Sequence, residues 1–152
     1  MLEAVGESFW PTYFRQLHDR LRPGGRAALQ VIAIEDARFE AYRDSVDFIQ
    51  RYIFPGGMLP SPGKLQELAR DADLTVQETC SHGDDYAHTL ALWRDRFERA
   101  WPQIERSAAD GRFDERFRRL WRFYLAYCEA GFRTGRIDLL HPGLERTGEP
   151  AW

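Results

Sequence analysis

Cysteine is scarce, and its scarcity excludes two architectures. The 152 residues hold two, Cys80 and Cys128, too few for a disulfide framework or a cysteine metal cage. The four histidines (His18, His82, His88, His141) stand at no zinc-binding spacing. No apolar run approaches the ~18 residues of a membrane span, and no signal peptide precedes the first helix. A reducing cytoplasm is the expected compartment. A positive balance is also missing. The formal net charge is −3, which gives no argument for nucleic acid. Arginine nevertheless supplies nearly all the positive charge, in clusters such as Arg94, Arg96, Arg99 and Arg116, Arg118, Arg119, Arg122. These read as a solvated helix face or as a contact for acidic headgroups. Internal repeats and low-complexity linkers are absent as well, and the length fits one domain.

Aromatic residues, at 14%, are plentiful and recur at helical spacing. Phe9, Trp10, Tyr13, Phe14, Leu17 and Leu21 predict an amphipathic helix with Ser8 as N-cap and Pro11 in its first turn. It stops at Arg22-Pro-Gly-Gly25. The apolar run 27–34 suits a buried strand, and helix, Leu-Arg-Pro-Gly-Gly turn and strand together point to an α/β fold. Residues 36–50 are polar with helical character. Ser61 and Pro62 open a helix carrying Leu65, Leu68, Ala69 and Ala72, followed by a strand over 74–79. Two long helices come next. One presents Leu90, Trp93, Phe97 and Trp101; the other presents Phe113, Phe117, Leu120, Trp121, Tyr124, Leu125, Cys128 and Phe132. Such stripes are core before they are a cofactor box, and Cys128 reads as packing. A last strand, 137–141, is expected to be cut by Pro142-Gly143.

The stretch Phe48-Ile-Gln-Arg-Tyr-Ile-Phe-Pro-Gly-Gly-Met-Leu-Pro-Ser61 reads as neither helix nor strand. Pro55 and Pro60 fix φ, and Gly56 and Gly57 accept positive φ. A loop so apolar either packs on its own core or covers an apolar ligand.

Several segments in order carry a resemblance: Met-Leu-Glu-Ala-Val at 1–5, Leu-Arg-Pro-Gly-Gly at 21–25 and the long 48–61 motif. Asp-Tyr-Ala-His-Thr-Leu-Ala-Leu-Trp at 85–93 and Trp-Arg-Phe-Tyr-Leu-Ala-Tyr-Cys-Glu-Ala-Gly-Phe-Arg at 121–133 continue it. From Met1 to about Leu140 the chain resembles the C-terminal half of cyclopropane-fatty-acyl-phospholipid synthases and mycolic acid methyltransferases. The resemblance implies a Rossmann-like, S-adenosylmethionine-dependent fold whose last strand lies antiparallel between the other two. It implies methyl transfer to the cis double bond of a phospholipid acyl chain, with a proton lost to bound bicarbonate.

Carried over residue by residue, it implies catalytic roles for Glu3, Gln30 and Tyr86, and bicarbonate binding by these three and the Ile32 backbone. The family typically has histidine where this chain has Gln30. Gln30 and Ile32 share a strand face; an amide donates to an anion but does not titrate near neutral pH. The product is thus open between a cyclopropane and a methyl-branched or methylene chain. Taken singly, each of these residues also reads as structural. Ile53, Phe54, Met58 and Leu59 are expected along the acyl path.

The glycine-rich turn that would cradle S-adenosylmethionine after an early strand is missing, and with it the ribose-holding acid. Residues 1–152 are therefore expected to be the C-terminal half of one methyltransferase domain, an inactive fragment. The alternative is a short non-catalytic lipid-binding or partner-binding module. The partners expected are unsaturated membrane phospholipid, met peripherally at the inner membrane face, and a second copy of the chain. An unpaired edge at 27–34 is the reason to expect self-association.

Overall fold

Strand β4 (Ile137–Arg146), late in the chain, is the centre of the sheet. It pairs antiparallel with β1 (Arg26–Ala28) and β2 (Val31–Ile34) on one side and with β3 (Leu74–Ser81) on the other. The last strand therefore lies between the other two, as expected. The computed structural model describes residues 1–107 and 113–148. The chain forms two units, one of Met1–His82 with the segment from Ile137 onward, the other Gly83–Arg136.

The expected single strand over 27–34 is interrupted at Leu29 and Gln30, and the expected stop at Pro142-Gly143 does not occur. Pro142 bears on both. It stands opposite Leu29 and accepts the Leu29 N–H on its carbonyl at 3.1 Å, but has no N–H to return. On the other side, β3 shifts register between Val76 and Thr79, facing this point. A sheet tolerates proline at such an irregularity.

Helices α1 (Leu2–Val5), α2 (Trp10–Arg20) and α5 (Pro62–Asp71) supply the core of the first unit. Trp10, Phe14, Leu65 and Leu68 pack with Val31, Ala33, Leu140 and Leu144. Trp10 is fully buried, and its indole N–H donates to the Leu2 carbonyl at 3.1 Å, so the ring is both packed and satisfied. Ser8 does not cap α2. The chain enters through a 3-10 turn, Glu7–Phe9, which places Phe9 at the cap with no side-chain bond. At α5 the expectation holds, with Ser61 Oγ accepting the Lys64 N–H at 3.2 Å.

The stretch from Phe48 is not loop throughout. After α3 (Phe39–Arg43), residues Phe48–Tyr52 form α4. Asp47 and Gln50 make a reciprocal capping box at its start, which satisfies donors that a short helix would leave bare.

In the second unit α6 (Gly83–Ser107) and α7 (Glu115–Arg133) run antiparallel. Their aromatic stripe meets at Phe117, whose ring centroid lies 6.4 Å from Phe97 and 5.7 Å from Trp121. Two expected core residues lie at the rim instead, Trp93 at 44% and Phe113 at 38% exposure. Phe113 precedes the helix, because Asp114 caps it by accepting the Phe117 N–H at 2.7 Å. Buried Glu129 sits between Arg94 at 2.9 Å and Arg133 at 2.8 Å. Burial, with lesser effects of Cys128 and Tyr86, pushes the Tyr124 hydroxyl up to about 12.

Candidate active site

Alternate N–H groups of β2 face away from β4, and a strand edge so placed needs acceptors. Glu3 provides one. From α1 its Oε1 accepts the Ile32 N–H at 2.7 Å. Two residues on, the Ile34 N–H donates to the Pro60 carbonyl at 2.9 Å. The expected open edge at 27–34 is thus closed at Ile32 and Ile34 by the chain's own groups. The shorter stretch β1 carries Arg26 at the same edge, a charge that discourages strand addition.

Glu3 also anchors the loop after α4. Its carbonyl accepts the Met58 N–H at 2.8 Å, while Gln50 Nε2 donates to the Gly57 carbonyl at 3.1 Å. One residue therefore ties α1, the strand edge and the loop together. Tyr13 feels the same carboxylate. Its hydroxyl is pushed up from the ordinary tyrosine value, first by burial and then by the Glu3 charge.

The structure places the sequence candidates as follows. Glu3 and Ile32 are in direct contact through the backbone N–H that had been expected to meet bicarbonate. That N–H is occupied by Glu3 Oε1, and Glu3 Oε2 accepts from the Met1 amino group at 2.8 Å. Gln30 lies in the break between β1 and β2, exposed, with its Oε1 3.1 Å from His141 Nε2. Tyr86 belongs to the helical unit, its ring edge-on to Phe132 at 5.0 Å and to Trp93 at 6.0 Å.

The four acyl-path residues divide. Met58 is buried in the core cluster and Leu59 packs against it, so these two follow the packing alternative. Ile53 is half-buried. Phe54 is 57% exposed, close to Tyr52 at 56%, over whose ring Arg51 lies at 5.7 Å. An apolar cleft of about 160 Å³ beneath Phe14, Leu65 and Leu140 is lined by none of the four.

Over residues 1–142 the sequence matches the family described as mycolic acid cyclopropane synthetase. The chain belongs to this family. It is 43% identical over 151 residues to the tuberculostearic acid methyltransferase UfaA1 of Mycobacterium tuberculosis, covering 99% of this chain and 34% of that protein. Identity to the cyclopropane-fatty-acyl-phospholipid synthase of Escherichia coli is 34% over 140 residues, covering 91% of this chain and again 34% of the relative. The crystal structure of the mycolic acid cyclopropane synthase CmaA1 complexed with SAH and CTAB superposes with a TM-score of 0.81 at 27% identity. That match covers 95% of this chain and 52% of the other. The chain thus spans about a third of the length of these two curated relatives. Its mixed helix and sheet architecture is that of S-adenosylmethionine-dependent methyltransferases.

Neither glycine pair of this family member forms a cofactor cradle. Gly24 and Gly25 close a turn onto Arg146, with Gly24 N–H on its carbonyl at 3.1 Å and Arg146 N–H on Gly25 at 2.9 Å. Gly57 donates to Phe54 at 3.0 Å and sits under the loop. One residue at the sheet escaped the sequence reading. His141 is 111 positions from Gln30, and only the strand register brings the two together.

Proposed function

We propose that the protein carrying this chain transfers a methyl group to the cis double bond of an unsaturated fatty acyl chain of a phospholipid. Membership of the family supports this, and the observation that carries it is the Glu3 carboxylate fixed on the Ile32 N–H at the edge of β2, two residues along the chain from Gln30. S-adenosylmethionine, when bound, supplies an electrophilic methyl group. The described residues offer it no cradle, so its binding is assigned to none of them.

What these residues do concerns the proton. A bicarbonate ion has one O–H to donate and oxygens to accept with. Glu3 accepts the O–H, and the Gln30 amide donates to an oxygen. Held in this way, the ion is the base for the proton lost as the acyl chain closes to a ring or rearranges to a branched or methylene product. Gln30 itself does not titrate, so the proton leaves with the anion. Tyr86 is the third group proposed to act, from the helical unit.

Ile53 and Phe54 are proposed to meet the acyl chain. Each methylene drawn from a bilayer needs replacement contact worth about 0.8 kcal/mol, and the exposed ring of Phe54 offers apolar surface for it. Arg51 and its neighbours would face the headgroups, placing the protein peripherally at the inner face of the membrane. No helix among the described residues is long and apolar enough to cross it. A second reading, a non-catalytic lipid-binding or partner-binding module, draws on the two glycine pairs being engaged in turns of their own.

The test uses the protein that carries this chain, phospholipid vesicles of cis-unsaturated chains and methyl-labelled S-adenosylmethionine. Label is expected in the acyl chain. Phe54→Asp is expected to abolish turnover on vesicles with cofactor binding intact, and Tyr86→Phe to lower turnover with lipid binding intact. Binding of vesicles without any label transfer would favour the second reading.

A further inference from the structure

Gln30 and His141 face each other across two strands. Ala28 pairs with Gly143 and Val31 with Leu140, so the register puts Gln30 opposite His141. Leu29 and Pro142 are joined through the backbone. The next pair along is then of the non-hydrogen-bonded kind, in which side chains approach most closely. Here the side chains make the link, at 3.1 Å between His141 Nε2 and Gln30 Oε1. An amide oxygen only accepts, so this contact requires the hydrogen on Nε2. The imidazole is itself held, with the His82 ring at 4.5 Å and Cys80 opposite it on β3.

We propose that His141 is a positioning residue for an anion donor: by donating to Gln30 Oε1 it turns the amide NH2 outward, both hydrogens directed at a small carboxylate-like ion such as bicarbonate. This rests on the reading that Gln30 helps to hold that ion. A glutamine side chain free to rotate presents oxygen as readily as nitrogen, and the oxygen would repel the ligand. Anchoring the oxygen removes that alternative and the rotamer entropy with it. Of the two arrangements open to the pair, only this one leaves both amide hydrogens to the ligand.

The 152-residue chain, labelled with nitrogen-15, tests the proposal by NMR. Long-range proton–nitrogen correlation is expected to show the hydrogen of His141 on Nε2; a hydrogen on Nδ1 alone overturns the proposal. Sodium bicarbonate is then expected to shift the Gln30 side-chain NH2 resonances. His141→Phe is expected to raise the bicarbonate needed about tenfold, the worth of one hydrogen bond. His141→Gln, which keeps an N–H for Oε1, is expected to restore most of the response. The backbone amides of Ile32 and Leu139 report that each variant is folded. An unchanged titration in His141→Phe overturns the role of His141 while leaving the anion site standing. No response of Gln30 in the parent chain removes the anion site, and the proposal falls with it.

Discussion

Asp47 and Gln50 cap each other. The Gln50 N–H donates to Asp47 Oδ1 at 2.8 Å, and the Asp47 N–H donates to Gln50 Oε1 at 3.0 Å. Gln50 then spends its amide on the Gly57 carbonyl. Asp47→Ala is expected to cost about 1 kcal/mol in urea denaturation. Gln50→Ala is expected to cost more and to speed proteolysis within 53–57, because it releases the loop as well as the helix.

Glu3 is expected to separate charge from hydrogen bonding. Glu3→Gln retains an acceptor for the Ile32 N–H and should keep most of the stability. Glu3→Ala leaves that N–H bare, at a cost of about 1–3 kcal/mol. It also reopens part of the strand edge, so sedimentation velocity should show more self-association than in the parent. Equal association of parent and Glu3→Ala would remove the edge from any account of assembly.

Met58 and Phe54, four residues apart, are expected to behave oppositely. Met58→Ala removes a core side chain and should cost about 2–5 kcal/mol. Phe54→Ala touches an exposed ring and should stay within about 0.5 kcal/mol. Thermal denaturation of the two variants compares them directly.

Tyr124 sets an alkaline limit. Its raised value means that the unfolded chain gives up the hydroxyl proton near the ordinary 10 while the folded chain holds it to about 12. Between these values the folded state binds more protons, so stability is full below pH 10 and falls as pH rises through the interval. Tyr124→Phe should flatten that fall, as read from denaturation midpoints across the range.

Glu129 is buried with arginines on two sides. Removing it in Glu129→Ala strands Arg94, and about 2–3 kcal/mol of stability should go with it. Glu129→Gln should lose less.

Much of this architecture is legible in the amino acids themselves. Ser61 and Pro62 mark the start of α5, the Leu-Arg-Pro-Gly-Gly turn separates α2 from the sheet, and the aromatic spacing draws α6 and α7. What misleads is local chemistry acting through a distant partner. Pro142 reads as a stop, yet its missing N–H falls where β1 and β2 break and β3 shifts, so the strand runs on. The apolar weight of 48–61 hides a capping box four residues long, Asp47 to Gln50, that was present in the sequence. The candidate site shows the same division. Glu3 and Gln30 were found by likeness, while His141 depended on a register that no spacing encodes.

The position of β4 bears on how the molecule is made. A ribosome delivers β1, β2 and β3 first, then the whole of α6 and α7, and only afterwards the strand that joins the earlier ones. The emerging polypeptide therefore carries its flanking strands without their common partner throughout synthesis of the helical hairpin. Such an order favours late, long-range closure over stepwise growth. It also makes a nonsense codon anywhere between residues 82 and 137 a lesion of the entire sheet, with β1, β2 and β3 left as sticky, orphaned strands for chaperones and proteases to clear.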